Sequence, residues 1–353
     1  IGGPTGAFIV VVFSIIEKFG YTGLAVATMM SGAILILMGL LRLGAAIKFI
    51  PYPMTIGFTT GIALLVAFNQ IKELLGLRIE EGGHGFINTA VSYGQNIGST
   101  NIYAVITGLF TIALIMLWPK VTRKIPGSIV AILITTPVVA FFNIPVDTIG
   151  SKFGQLSFHI DFLDLSGFSF SMMPQLLSSA FTIAILGAIE SLLSAVVADG
   201  MTGHRHRSNM ELVAQGAANI FAPLFGGIPA TGAIARTATN IKSGAKTPIA
   251  GISHAVTLFI ILLFFIKWAS YIPIAVLAGI LIIVAYHMSE WKVFLKLFRS
   301  PKHDIAVMLA TFLLTVFVDL TFAIQTGVVL SALLFMYRMS ETTEIRNIKS
   351  EID

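Results

Sequence analysis

The chain has 353 residues, of which 56% are hydrophobic and 11% are charged, and its net charge is +5. Soluble domains carry about 25% charged residues, so this composition excludes an ordinary soluble protein and indicates a surface that mostly faces lipid. The absence of cysteine excludes disulfides and thiolate metal sites. The basic residues lie in short loops between apolar runs, which argues against a nucleic-acid partner.

Apolar stretches along the chain predict twelve membrane-spanning helices, since about 20 apolar residues cross the hydrocarbon core. In chain order the predicted spans are 5–19, 21–41, 53–71, 102–118, 128–142, 175–198, 210–222, 232–243, 248–266, 273–287, 304–318 and 321–337. Several are too short to cross, notably 5–19 and 232–243, which is typical of transporter half-helices that end near the middle of the membrane. The polar stretches 72–101 and 143–174 predict loops or short surface helices.

The distribution of Lys and Arg predicts the orientation. Sixteen of the 22 basic residues fall on one alternating set of loops and on the C-terminal tail, and five fall on the opposite set. Because basic loops stay in the cytoplasm, the C-terminus, including the tail 339–353, is predicted to be cytoplasmic. The remaining basic residue, Arg236, lies inside a predicted span.

Two parts of the sequence repeat each other. Residues 2–7 resemble residues 226–233 with Gly6 aligned to Gly232, and Ile50-Pro51 with Gly57 resembles Ile272-Pro273 with Gly279. An odd number of spans, seven, separates the matched points, so the two copies are expected to be inverted in the membrane. Chance similarity between common membrane residues is the alternative.

The repeat predicts a domain organisation. Residues 1–353 form one transmembrane domain, with 1–142 as the remainder of the first repeat and 175–338 as the second. Two helices are expected to precede Ile1, so that about 12 of 14 spans of a seven-plus-seven arrangement are present.

Each copy of the repeated motif comes at the start of a short predicted helix. A helix N-terminus offers unpaired N–H groups and a partial positive charge, so two facing N-termini at mid-membrane form an anion site. Threonine is also a favourable N-cap, although Gly and Ala alone are equally explained by close helix packing. The candidate anion-binding residues are Pro4, Thr5, Gly6, Ala7, Thr231, Gly232, Ala233 and Arg236.

Two charged residues lie within predicted spans. Glu190 is expected to carry a proton, because apolar surroundings make ionisation of a carboxyl group costly and intramembrane carboxylates are usually functional. Arg236 adds positive potential beside the anion. A structural ion pair between Glu190 and Arg236 is the alternative for both residues. No nucleophile–base pair, phosphate loop or zinc motif is present in the sequence, so we expect neither an enzyme nor a cofactor or metal.

Residues 186–251 and the opening IGGPTGAF resemble the sulfate permease (SulP) family, the bacterial relatives of prestin and pendrin. The resemblance covers essentially the whole chain, from the family's third helix to its fourteenth. It implies a seven-plus-seven inverted repeat divided into core and gate domains, with the anion between helices three and ten and Glu190 as the acidic residue of helix eight. It further implies a homodimer and a STAS domain after the cytoplasmic tail.

The function expected from these features is proton-coupled symport of a small anion, of the sulfate, bicarbonate or dicarboxylate class, by elevator-like movement in a bacterial inner membrane. Sodium-coupled bicarbonate relatives use Asp and a Thr hydroxyl near positions that are Glu190 and Ile234 here, which favours protons over sodium. An anion exchanger or an uncoupled anion conductor is the first alternative. A nucleobase permease of the same architecture is the more distant one.

Overall fold

The computed structural model describes residues 1–44, 52–79, 85–122, 125–154, 156, 162–163, 170–318, 322–323, 326–327 and 329–330. Most of the predicted span 321–337, the tail 339–353 and the Ile50-Pro51 element of the repeat lie outside the described residues.

The described chain is almost entirely helical. The α-helices are α1 (Phe8–Leu40), α2 (Tyr52–Leu75), α3 (Phe86–Gln95), α4 (Ile102–Leu117), α5 (Gly127–Phe141), α6 (Ile149–Phe153), α7 (Met173–Thr202), α8 (Ser208–Phe221), α9 (Ile234–Lys242), α10 (Ile249–Ala269), α11 (Ile274–Met288), α12 (Trp291–Leu297) and α13 (Lys302–Phe317). Short 3₁₀ turns cover Ile97–Ser99, Trp118–Lys120, Phe170–Met172 and Ala222–Phe225. Two short strands, β1 (Gly2–Gly3) and β2 (Thr231–Gly232), pair with each other.

The helices overlap the predicted spans from 5–19 to 304–318, and α3 and α6 are the short helices expected in the two polar stretches. The predicted spans 5–19 and 21–41 are the two helical segments of α1, which meet at a kink at Gly20, whose φ is 68° and ψ is −176°. Glycine tolerates this positive φ because it has no Cβ. Within the described residues, six helical segments are long and apolar enough to cross a membrane: Phe8–Leu40, Tyr52–Leu75, Ile102–Lys120, Phe170–Thr202, Ile249–Ala269 and Ile274–Leu297.

The helices pack in two groups. In the first group, α1 packs against α7 and α8, and α7 packs against α9. In the second, α2 packs against α11 and α13, and α11 packs against α4. The repeat makes α2 equivalent to α11 and α4 equivalent to α13, so the pairs α2–α13 and α11–α4 are the related contacts that an inverted repeat predicts.

The main core lies between α1, α2 and α7, and its fully buried members include Phe8, Leu24, Ile62, Leu176 and Leu186. In contrast, α10 is apolar along its length and has no buried residue. An apolar helix with an uncovered surface is suited to lipid contact, because all of its backbone polar groups are paired within the helix.

Glycines allow α1 and α8 to approach closely. A Cβ on Gly216 would lie 2.5 Å from the carbonyl oxygen of Gly32, and a Cβ on Gly32 would lie 2.6 Å from the carbonyl oxygen of Gly216. Small residues at such crossings let the backbones of membrane helices meet.

We therefore expect Gly216→Ala to lower the free energy of unfolding by about 1–3 kcal/mol through overpacking. The matched control is Gly200→Ala in α7, where nothing lies within 4 Å of the added Cβ, and where alanine is favoured over glycine in a helix by about 1 kcal/mol. Thermal unfolding in detergent measures the stability of both variants relative to the native protein. Equal stability of the two variants would contradict a tight α1–α8 contact.

Candidate anion-binding site

A two-stranded ribbon brings the two copies of the repeated motif together. Gly2 pairs with Gly232 and Gly3 pairs with Thr231 in antiparallel register. The N–H of Ala233 also donates a hydrogen bond of 2.9 Å to the carbonyl oxygen of Ile1. Because α1 and α9 begin a few residues after these strands, their N-termini lie close together although they are more than 200 residues apart in sequence.

The predicted N-cap role of the two threonines is wrong. The N-cap residues are Ala7 for α1 and Ala233 for α9, and neither makes a side-chain cap. The Thr5 hydroxyl instead donates a 2.8 Å hydrogen bond to Oε2 of Glu190. The Thr231 hydroxyl donates to the carbonyl oxygen of Gly187 at 2.9 Å. Both hydroxyls are therefore directed at α7, which lies between the two helix starts.

The start of each helix retains backbone donors. Among the described residues, no oxygen accepts a hydrogen bond from the N–H groups of Gly6, Ala7, Ile234 or Arg236. Unpaired N–H groups in the first turn give a helix start its partial positive charge. These four groups are the backbone donors that the two facing helix starts can offer to an anion.

The N–H groups of Gly232 and Ala233 are already paired. Gly232 donates to Oγ of Ser191 at 3.0 Å, and Ala233 donates to Ile1 as described above. The free donors of the second half-site consequently lie one to three residues further along the chain than the sequence suggested.

The two glycines of the repeated motif differ in their surroundings. A Cβ on Gly232 would lie 2.9 Å from Cα of Ser191, so close packing against α7 requires glycine there. A Cβ on Gly6 would make ordinary contacts, at 3.6 Å from Cγ1 of Val284 and 3.8 Å from Sδ of Met288. Gly6 therefore faces α11 of the second helix group across a looser contact.

Arg236 reaches from α9 to the segment that precedes α1. Its Nη2 donates a hydrogen bond to the carbonyl oxygen of Pro4, and its Nη1 lies 3.1 Å from the position that a Cβ on Gly3 would occupy. Among the ion pairs of the described residues, none joins Arg236 to Glu190, so the direct structural pair is not formed.

Glu190 lies on α7 and is partly buried. Its carboxylate contacts the hydroxyl of Thr5 just before α1. The residue that was expected to carry a proton is thus connected by one hydrogen bond to the first half of the candidate site.

A buried polar network, not found from the sequence, supports the second half-site. The side chain of Asn219 accepts a 2.9 Å hydrogen bond from the N–H of Ala230 and donates one of 2.9 Å to its carbonyl oxygen. Gln215 donates to the same carbonyl oxygen at 2.6 Å and accepts from Oγ of Ser191 at 3.2 Å. The available signal was the i, i+4 spacing of Gln215 and Asn219, which places two amides on one face of a helix.

We expect Asn219→Ala to lower the free energy of unfolding by about 1–3 kcal/mol, because it leaves the partly buried N–H of Ala230 without an acceptor. Gln215→Ala is the matched control. Gln215→Ala should lower the free energy of unfolding by less than Asn219→Ala, since Asn219 still pairs with both backbone groups of Ala230. Chemical or thermal unfolding measures the two variants, and a larger loss for Gln215→Ala would contradict the assigned roles.

Comparisons with known proteins agree with this architecture. A family model described as the sulfate permease family matches residues 1–311. The chain is 45% identical over 348 residues to the putative sulfate transporter YvdB of Bacillus subtilis, covering 98% of this chain and 66% of that protein. It is 35% identical over 353 residues to the bicarbonate transporter BicA of Picosynechococcus, covering 96% of this chain and 62% of that protein. The chain thus spans just under two thirds of the length of these curated relatives.

Solved structures show the same fold. The transmembrane domain of a cyanobacterial bicarbonate transporter, BicA, superposes with a TM-score of 0.81 at 31% identity, covering 92% of this chain and 84% of that one. The structure of SLC26A9 superposes with a TM-score of 0.85 at 18% identity, covering 96% of this chain and 57% of that one, which concerns the fold alone. The protein is an α-helical integral membrane protein with the inverted-repeat transporter fold, and the chain belongs to the sulfate permease family.

Proposed function

We propose that the protein is a secondary transporter that couples the entry of a small anion to the entry of a proton. The observation that supports this best is the β1–β2 pairing, which places two helix N-termini beside the guanidinium of Arg236 and the carboxyl group of Glu190. Each helix N-terminus contributes a partial positive charge and Arg236 contributes one full positive charge, and together these charges attract the anion.

Sulfate, bicarbonate and dicarboxylates are the substrate classes that we propose. Backbone N–H groups bind any small anion, so the site does not by itself select among them. The names of the relatives, a sulfate transporter and bicarbonate transporters, favour the first two classes. Membership of this family also disfavours the nucleobase permease alternative.

The contact between Glu190 and Thr5 supports proton coupling, because it brings the carboxyl group next to the first half-site. A bound anion adds negative charge near Glu190 and disfavours its ionised form, so each ligand improves the binding of the other. The binding of a proton and of an anion at adjacent groups is the thermodynamic requirement for symport.

The proposed movement is of the elevator type. Both halves of the candidate site lie on the group formed by α1, α7, α8 and α9, and Gly6 meets Val284 and Met288 of the other group through ordinary van der Waals contacts. This looser contact at Gly6 supports sliding at one point of the boundary, while the main core joins α1 and α7 to α2 elsewhere along it. The cytoplasmic C-terminus and the homodimer stay predictions.

The test is uptake by the full-length protein in proteoliposomes. Labelled sulfate, bicarbonate and a dicarboxylate are supplied outside, with and without an inward proton gradient. Symport predicts accumulation of one of these anions above equilibrium only with the gradient. Uptake that instead requires an internal anion identifies an exchanger, and uptake that follows only the membrane potential identifies a conductor.

A further inference from the structure

A cavity outside the candidate site lies at the end of the bundle that the Lys and Arg distribution assigns to the outer side of the membrane. Its volume is about 220 Å³. Four segments line it: the last turn of α2 with residues 76–79, the start of α4, residues 146–152, and the start of α11. These segments contribute no residue to the candidate site described above.

Backbone and side-chain hydrogen bonds hold these segments together. The N–H of Asn101 donates to the carbonyl oxygen of Leu75 at 2.9 Å, which joins α2 to α4. Nδ2 of Asn101 donates to the carbonyl oxygen of Pro145 at 2.7 Å. The N–H of Ile274 donates to the carbonyl oxygen of Asp147 at 2.8 Å, which joins this segment to α11. The cavity is therefore formed before any ligand enters.

Basic residues gather around the cavity in spite of their scarcity on this side. Only five Lys and Arg residues are assigned to the outer loops, and three of them, Lys72, Arg78 and Lys152, line this one cavity. They come from sequence positions up to 80 residues apart, so the cluster is a product of the fold.

The acidic residues at the cavity neutralise only part of this charge. Nζ of Lys152 forms an ion pair with Oε1 of Glu73 at 2.6 Å. Nζ of Lys72 donates to the carbonyl oxygen of Ile79 at 3.3 Å. Among the described residues, the Arg78 guanidinium has no partner, and Asp147 is exposed at the rim. Two cationic groups thus retain free donors beside one exposed carboxylate.

The floor of the cavity adds a backbone donor. Ala275 is the second residue of α11 and only 3% exposed. Among the described residues, no oxygen accepts from its N–H group. Buried N–H groups are normally paired, so a ligand oxygen that reaches the floor would satisfy this one while its other oxygens contact the cations.

We propose that this cavity is a second anion site, which binds a small oxyanion at the outer end of the second helix group through Lys72, Arg78 and the N–H of Ala275. Planar or tetrahedral oxyanions offer several acceptor oxygens and so match a cavity that offers two cationic side chains and one backbone N–H group. The proposal goes beyond the proposed function, because binding here does not require transport.

Calorimetric titration of the full-length protein in nanodiscs tests the proposal, with sulfate and bicarbonate as separate probes. The variants are Lys72→Gln with Arg78→Gln, the same pair combined with Arg236→Ala, and Arg236→Ala alone. The Lys72→Gln, Arg78→Gln pair should weaken binding at the cavity by about tenfold or more, as loss of charge-assisted hydrogen bonds does, in both the native and the Arg236→Ala background. Arg236→Ala alone should leave binding at the cavity unchanged, which separates this site from the candidate site at the starts of α1 and α9.

The control is Lys267→Gln, which makes the same charge change at an exposed position assigned to the same side but outside the cavity. It should leave anion binding unchanged both at the cavity and at the candidate site. Arg78→Gln alone keeps the test valid if the double variant folds poorly, because the Arg78 guanidinium makes no hydrogen bond or ion pair among the described residues. The proposal is overturned if the cavity variants titrate like the native protein, or if Lys267→Gln weakens binding equally.

Discussion

Replacing Glu190 with glutamine is expected to abolish anion accumulation driven by an inward proton gradient, while anion binding persists. Glutamine keeps the size of the side chain and an oxygen that can accept the hydrogen bond from Thr5. It resembles the neutral, protonated form but cannot release a proton. The half-site around Thr5 and Ala7 should therefore keep its structure and bind the anion. The variant can no longer use the proton gradient to accumulate the anion.

Proteoliposomes with an imposed inward proton gradient measure this effect as the steady ratio of internal to external labelled anion. The native protein should reach a ratio well above one, and Glu190→Gln should reach about one. Exchange of labelled for unlabelled anion, measured without a gradient, should continue. Glu290→Gln is the matched control, because it makes the same substitution before α12, away from α7. Accumulation by Glu190→Gln at the native level would show that another group carries the proton.

Arg236→Ala is expected to weaken anion binding by about tenfold or more. A hydrogen bond to a charged group contributes about 1.5–3 kcal/mol, and each 1.4 kcal/mol corresponds to a factor of ten in affinity. The fold should survive, because among the described residues the guanidinium makes one hydrogen bond, to the carbonyl oxygen of Pro4. Arg236→Lys should recover part of the affinity, since it keeps the positive charge but not the forked geometry.

Binding of sulfate or bicarbonate to purified protein, followed by calorimetry, separates these variants, and the thermal unfolding temperature checks that each is folded. A loss for Arg236→Ala with partial recovery for Arg236→Lys supports a role for the charge in binding. If a folded Arg236→Ala protein binds the anion with native affinity, Arg236 has only a structural role, which is to connect α9 to the segment before α1.

Much of the fold could be predicted because its signals are local. The hydropathy of a stretch such as 21–41 or 248–266 determines whether it can cross a membrane, and α1 and α10 lie there. The short helix α9 was also predicted, as the span 232–243 that is too short to cross the membrane. The boundary between the predicted spans 5–19 and 21–41 was also correct, since a kink at Gly20 separates the two helical segments of α1.

The candidate site was predicted at the level of segments but not of contacts. The repeated motif identified both helix starts, and the isolated acid in an apolar span identified Glu190. The predicted caps at Thr5 and Thr231 were wrong, because α7 presents Glu190 and the carbonyl oxygen of Gly187 to these hydroxyls. A cap preference describes a helix by itself and takes no account of an acceptor on a neighbouring helix.

The sequence by itself determined that this protein is a polytopic membrane protein with two related helix starts and one charged residue of each sign near them. Only the tertiary structure decided that Arg236 contacts Pro4 rather than Glu190, and that the N–H of Gly232 donates its hydrogen bond to Ser191. The same holds for the cavity, which is surrounded by Lys72, Arg78 and Lys152. The physical reason is that hydropathy and helix periodicity are properties of neighbouring residues. Hydrogen bonds between residues tens to hundreds of positions apart depend instead on how closely the packed helices approach and on where each side chain points.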